Sequence, residues 1–234
     1  MTALRQYLRA YRLRDPARMV MYRSTPMVER AMNEFLAGRV LDIGCGTKRK
    51  KLLAGPQITE YLGADHAESK HGLAEVDIVS SAYEIPVPAE SFDGVLCTAV
   101  LEHLEEPAAA LREAFRLLRP GGHAIYTVPF FWHLHEDPRD FYRYTEYGLR
   151  HLFGAAGFEI VRIEAGSGFW ITAGSELSYY LTMVSRWPLR WLARCITAAN
   201  NLVFPWFDRI DLALNPASRR FTWMHLVVAR KPAA

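Results

Sequence analysis

Cysteine is scarce in this 234-residue chain. The three present, Cys45, Cys97 and Cys195, have neither C-x-x-C nor metal-ligand spacing, so neither a disulfide framework nor a cysteine-held metal is expected; the setting expected is reducing and cytoplasmic. A long apolar run is also lacking. Arginines scattered from Arg5 to Arg23 interrupt the N-terminus too often for a secretion signal or a spanning helix. The net charge of +3 gives no argument for nucleic acid as a partner. Repeats and low-complexity tracts are missing.

Half of the residues are apolar, and the length suffices for the core of one α/β domain carrying additions. The most informative run is Val40-Leu41-Asp42-Ile43-Gly44-Cys45-Gly46-Thr47, followed by Tyr61-Leu62-Gly63-Ala64-Asp65. It reads as strand, glycine turn, helix, strand, acid. Gly44 and Gly46 allow a sharp turn and close approach of a ligand, and Asp65, about 20 residues downstream, can accept hydrogen bonds from a ribose. A dinucleotide fingerprint, G-x-G-x-x-G, needs a third glycine, and this run, G-C-G-T-K-R-K, lacks it.

Further blocks follow in order. Ser91 to Thr98 leads from a turn into a strand, Val100-Leu101-Glu102-His103-Leu104 comes next, and Leu118-Arg119-Pro120-Gly121-Gly122 closes a helix. Together they resemble the D-x-G-C-G-x-G, F-D-x-V, L-E-H-L and L-x-P-G-G blocks of the class I S-adenosylmethionine-dependent methyltransferases. The resemblance covers about residues 38 to 165 and resumes at Phe221 to Arg230 as a final strand.

That resemblance implies an α/β fold: a doubly wound, seven-stranded, mostly parallel, Rossmann-like sheet with a helical N-terminal arm and a helical cap insertion. The expected division is 1–37 arm, 38–165 cofactor-binding core, 166–220 cap insertion, and 221–234 final strand and tail. Strands are expected near 39–43, 60–64, 74–79, 92–97, 122–128, 158–164 and 221–229, with crossover helices at 105–118 and 145–156. The implied cofactor is S-adenosyl-L-methionine, with S-adenosyl-L-homocysteine as product. Asp42, Gly44, Cys45 and Gly46 are expected at its amino-acid part, Asp65 and His66 at the ribose, and Ser81, Ala82 and Tyr83 at the adenine, with Thr98 and His103 completing the pocket. Where relatives carry an acid, position 81 is serine.

After the fifth strand, Pro129 to Thr145 resembles an H-x-x-P-x-D-x-x-R-[YF]-T block of a bacterial methyltransferase branch associated with cell-surface glycan and lipid pathways; it is matched by His135, Pro138, Asp140, Arg143, Tyr144 and Thr145. His135, His133 and His103 are the candidate bases, because imidazole titrates near working pH. Trp132, Asp140, Arg143 and Tyr144 are candidate acceptor contacts. Asp140 and Arg143, three apart, have the alternative of pairing with each other to fix the loop, and Tyr144 of lying in the core. Phe130, Phe131 and Trp132 are the expected lid. Two histidines beside Asp137 have a weak metal-ligand spacing; no metal is expected. Thr145 is placed to cap the following helix.

The N-terminal segment reads as a basic helical arm, with Arg5, Arg9 and Arg12 opposite Leu4, Leu8 and Tyr11. In the insertion, Arg186, Arg190 and Arg194 recur beside Trp187 and Trp191, and Pro188 and Pro205 are expected to break the helix. The segment is either an ordinary cap or one that lies on a membrane interface without crossing it. The leading function is O-methylation of a small-molecule, glycan or lipid-linked acceptor, with contact at the inner face of the membrane as a possible extension. The alternatives are a cofactor-binding scaffold without transfer activity and an enzyme using the cofactor for nonmethyl chemistry. Composition leaves the acceptor and the oligomeric state open.

Overall fold

Seven extended segments form the sheet: β1 (Gly38–Ile43), β2 (Ile58–Asp65), β3 (Ile78–Val79), β4 (Phe92–Thr98), β5 (Leu118–Pro129), β6 (Glu159–Ala165) and β7 (Met224–Arg230). These come from a computed structural model that describes residues 3–233. Their order is β3-β2-β1-β4-β5-β7-β6, and β1 to β5 are parallel. Hydrogen bonds from Gly121 N–H to Lys231 O and from Phe130 N–H to Trp223 O run β7 antiparallel to β5. The sheet reverses direction of growth between β1 and β4, which is where an open α/β sheet offers its ligand crevice.

Six helices accompany the strands among the described residues: α1 (Ala3–Leu8), α2 (Arg18–Phe35), α3 (Pro107–Leu117), α4 (Glu146–Ala155), α5 (Phe169–Val184) and α6 (Arg190–Leu214). Pro107 opens α3, where its missing N–H costs nothing. Thr145 caps α4, its Oγ1 accepting from Gly148 N–H at 3.1 Å, a contact worth about 1 kcal/mol.

The chain divides into two compact units. One comprises Val28–Pro129, Leu134–Glu164 and the chain from His225, and contains nearly all of the sheet. Its core is built from Leu41, Ile43, Phe92, Val95, Leu111, Tyr126, Phe153 and Val227, all buried. The parallel strands read as continuous apolar runs because helices cover both faces. The other comprises the chain up to Met27, Phe130–His133 and Ala165–Met224. In it α5 and α6 pack along each other; a Cβ on Gly174 would lie 2.3 Å from the Phe204 ring, so only glycine permits that approach. Asn201 ties the N-terminal segment to α6: its side chain donates to Leu13 O (2.8 Å) and Asp15 O (2.9 Å) and accepts from Met19 N–H (3.1 Å).

Several expectations need correction. The helix expected between β1 and β2 is only a 3-10 turn over Arg49–Leu53, because Gly55 and Pro56 end it and successive basic residues open it. The third strand is two residues long instead of six. The basic arm is not one helix: α1 stops at Leu8, so Arg9 and Arg12 lie outside the helical spacing that suggested a single face. Pro205 does not break α6, which runs through it; packing along α5 outweighs the backbone hydrogen bond that a proline forfeits. α2 and β7 each contribute residues to both units.

Candidate functional site

β1 delivers Asp42 into the interior, and the chain then turns with positive φ at Gly44 (70°) and Gly46 (51°). A Cβ on Gly44 would lie 2.3 Å from Val100, so that glycine is required by packing on the turn after β4 as well as by its φ, and not by ligand approach alone. Lys48 adopts a left-handed conformation (φ 50°), the one a glycine would favour, and its Nζ lies 2.6 Å from Asp77 Oδ2. Asp77 also accepts from Gly63 N–H at 2.6 Å, which ties the turn to β2.

At the end of β2, Asp65 is buried and organises this loop. Its Oδ2 accepts from Gly46 N–H (2.9 Å) and from the Ser69 hydroxyl (3.2 Å), while Oδ1 accepts from His66 N–H (2.8 Å). A carboxylate has about four acceptor sites, so Oδ1 keeps capacity for a further donor. Asp65 lines a cavity of about 600 Å³ within the sheet-bearing unit. Gly44, His66, Ser81, Ala82, Tyr83 and His103 share its wall. Ser81 Oγ accepts from Tyr83 N–H at 3.0 Å, which fixes that turn.

Four expected cofactor residues stand outside the wall. Cys45 is buried behind it, and burial pushes its thiol up to about 12. Gly46 contributes its N–H to Asp65 instead. Thr98 ends β4, and the wall is made by the next two residues, Ala99, which has positive φ (53°), and Val100. Asp42 lies beneath: Oδ2 accepts from the Tyr61 hydroxyl at 2.6 Å, Oδ1 has no partner, and burial pushes its carboxyl up to about 6.

Beyond β4, a 3-10 turn (Leu101–His103) and the segment 134–145 assemble a second group of ionisable side chains. Phe141 N–H donates to Glu102 O (2.9 Å), and the Tyr144 hydroxyl to Leu101 O (2.8 Å), which docks the segment on the turn. Tyr144 is accordingly buried. Arg143 pairs with Asp140 through two 2.7 Å contacts, and His135 N–H donates to the same carboxylate at 2.8 Å. Burial alone would raise Asp140; these donors overcome it and hold the carboxyl at about 2. Glu102 is 1% exposed and neither of its carboxylate oxygens accepts a hydrogen bond, so burial pushes it up to about 8. The His103 ring is held through Nδ1 by the Arg139 carbonyl; its Nε2 lies 3.8 Å from Glu102 Oε1, and its ring meets His135 edge-on at 4.8 Å.

Of the three candidate bases, His103 lines the cavity. His135 supports its neighbour and Asp140 and is not part of the wall. His133 belongs to the other unit with Trp132; there its ring contacts Trp132 and Tyr179, and its Nδ1 lies 3.2 Å from Glu176 Oε1. Phe130 and Phe131 donate their N–H groups to Trp223 O and Thr222 O and so extend the β5–β7 pairing. The sequence reading missed Arg139 as the anchor of His103, and a carbonyl leaves no residue-type signal. It also missed the tie between Lys48 and Asp77.

Comparison with known proteins decides the family. A sequence profile described as a methyltransferase domain matches residues 7–163, about two thirds of the chain. The chain belongs to the class I S-adenosylmethionine-dependent methyltransferase family. Ubiquinone biosynthesis O-methyltransferase from Alkalilimnicola ehrlichii is 30% identical over 125 residues, 49% of this chain and 48% of that protein. The Bordetella bronchiseptica protein of the same name is 32% identical over 137 residues, 53% and 49%. This methyltransferase-family chain thus spans about half the length of the curated relatives it matches. Among solved structures, the [4+2]-cyclase SpnF aligns with a TM-score of 0.57 at 23% identity, covering 91% of this chain and 81% of that one. Haemonchus contortus phosphoethanolamine N-methyltransferase 2, solved with S-adenosyl-L-methionine, aligns at 0.54 and 19%, covering 90% and 52%. Both establish the fold.

The residues present fit the family's cofactor. Asp42 Oδ1 is a buried carboxylate oxygen lacking a donor, suited to the amino group of the amino-acid part, and Asp65 offers acceptor capacity on the cavity wall for ribose hydroxyls.

Proposed function

We propose that this protein transfers a methyl group from S-adenosyl-L-methionine to a hydroxyl of a small-molecule or lipid-linked acceptor, with His103 receiving the hydroxyl proton. When bound, the cofactor supplies an activated methyl group on a sulfonium, whose leaving group departs neutral. Asp42, Gly44 and Asp65 hold it, and Ser81, Ala82 and Tyr83 flank its base. The observation that carries the reading is that His103 shares a cavity wall with Asp65 while its Nδ1 is engaged by the Arg139 carbonyl. That contact sets the neutral tautomer with Nδ1–H and leaves the Nε2 lone pair to accept a proton. Glu102, held protonated by burial, stands 3.8 Å behind Nε2 and packs against the ring. The chain's other task is positioning, since alignment of acceptor oxygen, methyl carbon and sulfur supplies the proximity gain. Oxygen as the accepting atom follows the relatives named O-methyltransferases.

The same fold occurs in the [4+2]-cyclase SpnF, so the reaction itself has to be measured. Calorimetric titration with S-adenosyl-L-methionine, followed by detection of S-adenosyl-L-homocysteine with a panel of phenolic, sugar and lipid-linked hydroxyl acceptors, tests it. His103→Ala is expected to lower turnover by about 10²–10³-fold at saturating acceptor while retaining cofactor affinity. Full turnover in that variant removes the assignment.

Contact with a membrane surface is the second part of the proposal. Trp187 and Trp191 are exposed at the start of α6, together with Leu189 and beside Arg186, Arg190 and Arg194, a composition suited to the interfacial region. No helix among the described residues is long and apolar enough to cross a membrane.

A further inference from the structure

The unit formed by the N-terminal segment, α5 and α6 contains a second cavity, of about 520 Å³, which no step above uses. Arg23, Arg209 and Arg219 line it, carried by α2, α6 and the 3-10 turn Pro216–Phe221. None of these three guanidinium groups has a carboxylate within ion-pair distance among the described residues. The cavity's own acid, Asp208, is 1% exposed and already committed: it accepts from Gly168 N–H and Ile171 N–H, both at 3.1 Å, at the start of α5. Three forked cations therefore surround one cavity with their hydrogen-bonding capacity open. The remaining wall is apolar, with Met19 on the turn of α2 that precedes Arg23, and Leu212 on the turn of α6 that follows Arg209.

Three exposed arginines lining one cavity, none of them ion-paired among the described residues and only Arg23 acting on the buried Asp208, suit a phosphate, which guanidinium groups grip bidentately and which carries about −1.5 to −2 charge as a monoester. The apolar wall asks for hydrocarbon attached to that phosphate. We infer that this cavity binds the phosphate of an anionic amphiphile, a phosphatidate-like lipid head group, through Arg23, Arg209 and Arg219. The site lies wholly in one unit and does not depend on the transfer reaction.

Binding of dihexanoyl phosphatidate below its micellar concentration isolates the site from general membrane adsorption. Calorimetry is expected to give one saturable site per chain, with glycerol 3-phosphate and inorganic phosphate at least about tenfold weaker because they leave the apolar wall uncovered. The combined Arg23→Gln, Arg209→Gln, Arg219→Gln variant, checked for an unchanged thermal transition, is expected to lose at least about tenfold in affinity. Arg112→Gln with Arg150→Gln, which removes exposed charge on α3 and α4, is expected to leave it unchanged. Absence of saturable binding overturns the proposal, as does an equal loss in the two variants. Equal affinity for inorganic phosphate overturns the lipid assignment and leaves a simple anion site.

Discussion

Arg143 grips Asp140 with both terminal guanidinium nitrogens, each 2.7 Å from a different carboxylate oxygen, and that carboxylate also takes the backbone N–H of His135. The pair closes the segment 134–145 on itself. Arg143→Ala leaves a buried carboxylate with one donor, and we expect a loss of about 2–3 kcal/mol by denaturant titration at pH 7. Because Asp140 titrates near 2 in the folded chain and near 3.8 otherwise, this stabilisation is complete above about pH 4 and is lost as pH falls toward 2. Equal acid sensitivity of wild type and variant would remove the electrostatic account.

Glu102 predicts the opposite dependence. Its folded pKa of about 8 lies above the ordinary 4.5, so the folded state holds a proton that the unfolded state releases between those values, and stability falls as pH rises through that window. Glu102→Gln, which is neutral throughout, is expected to flatten the decline: its thermal midpoint gains on wild type between pH 5 and pH 8. Parallel curves for the two proteins would show that Glu102 ionises normally.

Asp65→Ala is expected to weaken S-adenosyl-L-methionine binding by tenfold or more, about 1.4 kcal/mol, in calorimetry. Asp65→Asn retains acceptor oxygen on one side only and falls between. Unchanged affinity in both variants would withdraw the ribose assignment.

His135→Ala separates support from chemistry. Since its ring touches His103 and lies 3.3 Å from Asp140 without lining the cavity, its removal should reduce turnover by less than His103→Ala does. A larger loss in His135→Ala would exchange their roles.

Anionic liposomes are expected to retain the protein at low salt, and Arg190→Glu with Arg194→Glu to release most of it, because each basic residue near such a surface contributes about 1 kcal/mol. Failure of wild type to sediment would leave α5 and α6 as a cap only.

The sheet was legible because each of its signals is local. Gly44 and Gly46 mark the first turn, the apolar run of 92–98 marks a fully covered strand, and Thr145 marks a helix start three residues before the N–H it accepts. The shortened β1–β2 crossover was hidden, since a run of lysines is compatible with helix and 3-10 turn alike. Among the candidate site residues, Asp65 and His103 line the cavity, whereas His133 and His135, two apart in sequence, fall in different units. Tertiary placement decided that, and no spacing rule reports it. Arg23, Arg209 and Arg219 come together from distant segments, so their convergence had no sequence signature.

Lys48 holds a backbone conformation that most side chains avoid, and Asp77, the residue before β3, secures it there. The turn around Gly46 is consequently set before any ligand arrives, through one ion pair and the donors gathered by Asp65. A loop so fixed has little freedom left to surrender on association, so the entropic cost of ordering it is met during folding rather than at binding.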